Sequence, residues 1–161
     1  KEQILATLKA VIKTKHNAII IGPNMDTGNN SINKTIKLFS KNNSLKFFSS
    51  LPREDYLGLL KNCKLLIGNS SSGIIESTIF KIPVINIGDR QKGREHGPNV
   101  INVKKFSQKL ISKSLEKSLL MNKSNLRIKN IYGNGRTAKK IVEYLEKINL
   151  DQRLLKKEIR Y

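Results

Sequence analysis

The sequence predicts an α/β fold, a Rossmann-like doubly wound parallel sheet, and three features point there. Short β-branched runs such as Ala18-Ile19-Ile20-Ile21 and Pro83-Val84-Ile85-Asn86-Ile87 are apolar along most of their length, as expected of strands covered by helices on both faces. Amphipathic stretches separate these runs with short links, the pattern of right-handed strand–helix–strand crossovers. Small and polar residues follow the apolar runs at Gly22-Pro23, Gly68-Asn69 and Gly88-Asp89, where open α/β sheets place their ligand loops.

The elements follow in order. Ile4, Leu5, Leu8, Val11 and Ile12 recur at helical spacing and predict a helix over 2–15. A fully buried strand is expected at 18–22, then a polar loop over 24–30. Ile32, Ile36, Leu38 and Phe39 suggest a second helix, and 45–48 a second strand. Pro52, pre-set for a first helical turn, opens a helix over 53–62. A strand at 64–67 leads into a Ser-rich turn and a helix over 72–80. Strands at 83–87 and 100–103 complete the sheet. Helices at roughly 107–122 and 136–148 and a basic tail from 151 close the chain. Asn134 or Thr137 is the expected cap of the 136–148 helix. One domain spanning 1–161 is the economical reading of 161 residues.

Composition narrows the function classes. No apolar run approaches the ~20 residues that cross a bilayer, so no membrane association is expected. The single cysteine, Cys63, excludes an internal disulfide and a cysteine-built zinc site, and it reads as a small packing residue in a reducing cytoplasm. The formal net charge of +19 invites a nucleic-acid reading. The lysines, however, are spread over every predicted helix, aromatics are few, and Phe47 and Phe48 read as strand core, so no nucleic-acid partner is expected. A positive field of this size would still draw in an anionic substrate.

Three loops carry the candidate chemistry. The run Gly68-Asn69-Ser70-Ser71-Ser72-Gly73-Ile74-Ile75-Glu76 places hydroxyls and uncapped amides where a strand ends and a helix begins, a place to hold a phosphate. Glu76, about one turn further on, could accept hydrogen bonds from sugar hydroxyls. The loop with Asn24 and Asp26 leaves the first strand, and its plain reading is a turn whose side chains bond their own backbone. The loop Gly88-Asp89-Arg90-Gln91-Lys92-Gly93-Arg94 brings three cations directly after a buried strand, and forked guanidinium contacts there could clamp a diphosphate. His16 reads as a surface residue; His96 shares the cationic loop without an evident carboxylate to orient it. No metal motif, P-loop lysine or nucleophile elbow is present, and no cofactor is called for.

The Ser-rich run and the segment Pro83-Val84-Ile85-Asn86-Ile87-Gly88-Asp89-Arg90-Gln91-Lys92-Gly93-Arg94-Glu95 together closely resemble the hydrolysing UDP-N-acetylglucosamine 2-epimerases of sialic acid and capsule synthesis. The resemblance extends upstream through Pro23 to Gly28 and downstream through Ile131 to Gly135 and the final helix. It implies one half of a GT-B type, two-domain enzyme, namely the C-terminal nucleotide-binding half. It also implies roles. Ser70 and Ser71 would hold the diphosphate and Glu76 the ribose. Arg90 would lie beside the UDP, Asn24 would line the cleft, and the backbone near Leu51 would meet the uracil. Asp26, Ser72, Gly73 and Arg94 are further candidates. The family's proton-transfer residues belong to the N-terminal half and the hinge, so no catalytic residue is assigned here and this stretch alone is expected to be inactive. The implied partners are a UDP-sugar, the N-terminal domain of the same enzyme and, at full length, further copies of itself. The implied reaction removes the C2 proton and expels UDP to give a 2-acetamidoglucal, to which water adds to give N-acetylmannosamine. UDP-N,N'-diacetylbacillosamine as substrate, a GT-B glycosyltransferase half, and a basic nucleic-acid-binding module are the competing readings.

Overall fold

A computed structural model describes residues 2–23, 29–121 and 126–149. The chain divides into two compact units, Lys1–Ile131 and Tyr132–Tyr161. The first contains α1 (Glu2–Lys13), β1 (Ala18–Ile21), α2 (Asn29–Lys37), β2 (Leu45–Phe48), α3 (Arg53–Asn62) and β3 (Leu66–Gly68). It continues with a 3₁₀ turn (Ser71–Gly73), α4 (Glu76–Phe80), β4 (Val84–Ile87), β5 (Val100–Val103) and α5 (Gln108–Leu119). The second contains α6 (Thr137–Leu145). Arg136 is its N-cap and makes no side-chain cap bond. Asn134 instead accepts the Arg136 amide at 3.3 Å, an Asx turn just before the helix, so neither expected residue caps it. The predicted tail from 151 lies outside the described residues.

All strand pairs are parallel, but they form two hydrogen-bonded sheets, β1–β2 and β3–β4–β5. The larger sheet carries the core. β4 is buried along its whole length, and its period-two alternation feeds two different layers. Ile85 and Ile87 join Val103 and face Ala10 and Val11 of α1 and Ile111 and Leu115 of α5. Val84, with Val100 and Leu66, packs on the opposite side against Ile74, beside the 3₁₀ turn. Each fully buried Ile or Val of this kind contributes about 1.5–3 kcal/mol. Gly73 is what lets the turn sit so low over the sheet: a Cβ there would lie 3.1 Å from Val84 Cγ1.

Two expectations change. The helix predicted over 72–80 is broken into a 3₁₀ turn and a five-residue α-helix. Ser77 Oγ donates to the Gly73 carbonyl at 2.7 Å and Thr78 Oγ1 to the Ile75 carbonyl at 2.8 Å, and such back-bonding hydroxyls compete with the helical ladder. The strand predicted at 18–22 is not fully buried: Ile19 is 46% and Ile21 37% exposed, and Phe48 beside them on β2 is 40% exposed. A two-stranded sheet takes its anchorage from Ala18 and Leu45, which pack on the core, and its other face lacks cover among the described residues.

Asn99 is fully buried and cross-links the layers. Its Nδ2 donates to Ser77 Oγ at 3.0 Å and to the Ile82 carbonyl at 2.8 Å. Asn99→Ala strands both acceptors away from water. The expected loss is about 2–3 kcal/mol of unfolding free energy, read as a lower urea midpoint at unchanged slope.

Candidate functional site

The site is built on the carboxyl ends of the strands. After β1, the Gly22 amide donates to the Phe48 carbonyl at 2.8 Å, and a Cβ on Gly22 would meet the Ser49 carbonyl oxygen at 2.6 Å. The two strand ends therefore run together only because this position is glycine. They form the floor of a cleft of about 490 Å³ lined by residues 21–23, 49–51 and Tyr56. Leu51, expected near a base, is half-buried in this lining. Asn24 and Asp26 lie outside the described residues. A second cleft of about 400 Å³ shares Gly22, Pro23 and Ser49 and is flanked by Lys34 and Lys37 of α2.

The three serines of the turn have different tasks. Ser70 is the N-cap of the 3₁₀ turn, and its Oγ accepts the Ser72 amide at 3.4 Å. The Ser72 hydroxyl is shared with the Tyr56 hydroxyl in a short hydrogen bond. Ser71 uses its carbonyl, which accepts the Ile74 and Ile75 amides at 2.9 Å each. Its hydroxyl has no hydrogen-bond partner among the described residues. The Gly73 amide is also engaged, on the Ser70 carbonyl at 3.1 Å. Ser71 thus has a hydroxyl with no other bond and Ser70 one whose proton is still to be donated, while Ser72 and Gly73 shape the turn from within.

Glu76 opens α4 with its side chain 21% exposed, and its Oε1 lies 3.9 Å from an Arg53 guanidinium nitrogen. Arg53 is largely exposed, so this pair is loose and contributes little stability. Tyr56 lies one turn further along the same helix. Burial pushes its phenol above the ordinary tyrosine value, the Ser72 hydrogen bond pulls the other way, and the nearby Glu76 charge adds to the rise. The hydroxyl is neutral throughout the physiological range.

The cationic loop leaves β4 through Gly88, whose φ is +83°. Gln3 of α1 lies close by, with its Nε2 on the Ile87 carbonyl at 2.8 Å. Arg90 and Arg94 are exposed. Gln91 between them is buried, and its Nε2 donates to the Asn69 carbonyl at 2.8 Å. That bond fastens the cationic loop to the start of the Ser-rich turn. His96, without an evident carboxylate to orient it, is oriented by two uncharged groups. Its Nδ1 donates to the Gly97 carbonyl at 3.1 Å, so its Nε2 accepts from Asn102 Nδ2 at 3.0 Å. Asn102 in turn accepts from Asn86 Nδ2 at 2.7 Å, across a registered β4–β5 pair. Arg53, Tyr56, Gln91, Asn86 and Asn102 were not legible as site residues. The last two carried one signal: paired asparagines inside apolar strands.

Cys63, at the end of α3, is half-buried and its thiol lies 3.2 Å from the Leu60 carbonyl oxygen. Among the described residues no group of three His, Cys, Asp or Glu converges to hold a metal ion, and no helix is long and apolar enough to cross a membrane.

The fold is the Rossmann-like half of a GT-B arrangement, with its candidate ligand loops along one end of the strands. It matches the solved UDP-GlcNAc 2-epimerase of Methanocaldococcus jannaschii in complex with UDP-GlcNAc and UDP at a TM-score of 0.71 and 22% identity, over 90% of this chain and 41% of that one. The model of the family described as UDP-N-acetylglucosamine 2-epimerase matches residues 1–146, and the chain belongs to that family. Among similar relatives, the UDP-N,N'-diacetylbacillosamine 2-epimerase (hydrolyzing) of Legionella pneumophila is 32% identical over 98% of this chain and 41% of its own length. Polysialic acid biosynthesis protein P7 of Escherichia coli is 46% identical over 63% of this chain. The GDP/UDP-N,N'-diacetylbacillosamine 2-epimerase (hydrolyzing) of Campylobacter jejuni is 44% identical over 61%. The chain spans less than half the length of these relatives, 27% for the last two.

Gln91→Leu keeps the buried volume and removes the bond to Asn69. The expected outcome is local: backbone amide exchange over 88–94 accelerates about tenfold, the worth of one hydrogen bond, while β4 amides keep their protection. Hydrogen exchange read by mass spectrometry checks it.

Proposed function

We propose that this chain is the C-terminal, UDP-binding half of a hydrolysing UDP-N-acetylglucosamine 2-epimerase. The full-length enzyme would release UDP and N-acetylmannosamine for sialic acid or capsule synthesis. The observation that carries the reading is the unbroken arc from cleft to cations. Residues 49–51 wall the cleft, Tyr56 links it to Ser72, the turn continues back to Asn69, and Gln91 ties Asn69 to the loop of Arg90 and Arg94. That order suits a nucleoside diphosphate: base against Leu51, ribose hydroxyls on Glu76, diphosphate between Ser70, Ser71 and the arginines. Asn24 and Asp26 belong to the same proposed site through the family resemblance.

In this reading the chain contributes no proton-transfer group. The acidic residues and histidine that act at the sugar come from the N-terminal domain, which is the proposed partner across the cleft. This half stabilises the leaving group. As the bond to C1 breaks, negative charge grows on the diphosphate, and pre-placed donors lower the barrier where they bind it more tightly than the ground state. Full-length copies would assemble as a homo-oligomer in the cytoplasm.

The 32% identity over 98% of the chain to the Legionella enzyme favours a second substrate, UDP-N,N'-diacetylbacillosamine. The full-length protein is to be incubated with each UDP-sugar and no acceptor. Free N-acetylmannosamine with stoichiometric UDP supports the first substrate, and release of a 2-epimerised 2,4-diacetamido sugar supports the second. Sugar transfer only when an acceptor is added would point to a glycosyltransferase and overturn both. With the active substrate, Arg90→Ala is expected to lower kcat about a hundredfold and to change KM much less. An unchanged kcat at saturation would remove Arg90 from the leaving-group role.

A further inference from the structure

We propose that Tyr56 is a positioning residue for the diphosphate, holding the Ser72 hydroxyl so that the serine turn is set for the ligand while its ring walls the neighbouring cleft. The inference rests on the nucleotide-binding reading above and adds to it a residue that the motif itself does not contain.

Three observations carry it. First, Tyr56 belongs to both parts of the site: its ring lines the cleft at the ends of β1 and β2, and its hydroxyl bonds Ser72, sixteen residues along the chain. Second, the other side-chain ties from outside hold the turn's ends by backbone carbonyls, Gln91 on Asn69 and Ser77 on Gly73, so Tyr56 is the outside group that holds a serine hydroxyl. Within the turn, the Ser70 hydroxyl accepts the Ser72 amide, and Gly73 packs on the sheet beneath. Without the phenol, the Ser72 side chain is free to rotate, and the turn whose amide it carries can relax away from Ser70. Third, the helix that carries Tyr56 also places Arg53 beside Glu76, so the first turn of that helix addresses both the serine turn and the Glu76 carboxylate. Burial holds the phenol above its ordinary value, so the link joins two neutral hydroxyls.

A wall and a positioning group differ in what they affect. A ring that merely lines the cleft would act on the nucleoside. A hydroxyl acting through Ser72 acts on the diphosphate and leaves the nucleoside alone. The test uses the full-length protein with UDP and uridine as probes, measured by calorimetry, with uridine as a competitor at millimolar concentration. Tyr56→Phe keeps the ring and is expected to weaken UDP about five- to tenfold, the scale of one hydrogen bond, with uridine within twofold of wild type. Ser72→Ala is expected to weaken UDP by a similar factor. The double variant should be no weaker than either single one, because both remove the same link. Ser72→Thr, which retains the hydroxyl, should bind within twofold of wild type.

UDP affinity unchanged in Tyr56→Phe, equal losses for uridine and UDP, or additive losses in the double variant would each overturn the inference while leaving the nucleotide site in place. If Tyr56→Phe fails to fold, the Ser72 pair decides alone: a UDP loss in Ser72→Ala that Ser72→Thr restores supports the inference, and no loss overturns it. A wild-type protein that binds neither probe overturns the underlying reading, and this inference with it.

Discussion

β4 is a strand with no exposed face, and the rest of the molecule is arranged around the need to cover it on both sides. Its residues alternate between the α1–α5 layer and the layer of the 3₁₀ turn and α4, so both coverings are obligatory. Covering the second face brings the serine turn down onto the sheet, at the distance Gly73 permits. The same burial forces the chain out of β4 at its carboxyl end, where Gly88 turns it into the cationic loop. Two of the three candidate ligand loops are thus placed by hydrophobic packing before any polar contact is made.

Polar contacts then do the fine placement. Apolar packing is non-directional and cannot set a loop to within the few tenths of an ångström that a phosphate needs. Hydrogen bonds can, and the site is stitched by a small number of them: Tyr56 to Ser72, Ser72 to Ser70, Gln91 to Asn69, and Asn86 through Asn102 to His96. Each joins segments that the sheet has already brought near. Arg90 and Arg94 are exposed at the edge of this network, and its buried members, Gln91 and Asn86, are uncharged amides. Burying a cation would cost far more than burying an amide with a partner.

Much of the architecture was legible because it is local. β2, α3 and β5 lie where residue type and period put them, at 45–48, 53–62 and 100–103. The site motif was legible as well, since a strand-to-helix turn announces itself by its small residues. What was not legible depends on partners far away in sequence. The 72–80 helix breaks because Ser77 and Thr78 bond backward, a competition that periodicity does not register. Ile19 and Ile21 read as core because they are isoleucines in a parallel strand, yet their exposure depends on what lies over them. Tyr56 looked like one more apolar position on an amphipathic helix, and nothing in its neighbours announces a serine sixteen residues on. His96 has no carboxylate near it in sequence, and the side chain that orients it, Asn102, sits on β5.

The division into two sheets bears on how a ligand would act on the protein. The cleft belongs to β1–β2, a two-stranded sheet with one face half-exposed, and such a pair has little stability of its own. The serine turn and the cationic loop belong to β3–β4–β5, which holds most of the core. α3 spans from one to the other, beginning at the cleft beside Leu51 and ending at β3. A nucleotide with its base in the cleft and its diphosphate on the turn would cross-link the weaker sheet to the stronger one. Its binding energy would then appear partly as order in β1 and β2, since a ligand stabilises whatever state it selects. The half-covered strands bury less of their apolar surface than β4 does, and they lie at the part of the site that a substrate would have to organise.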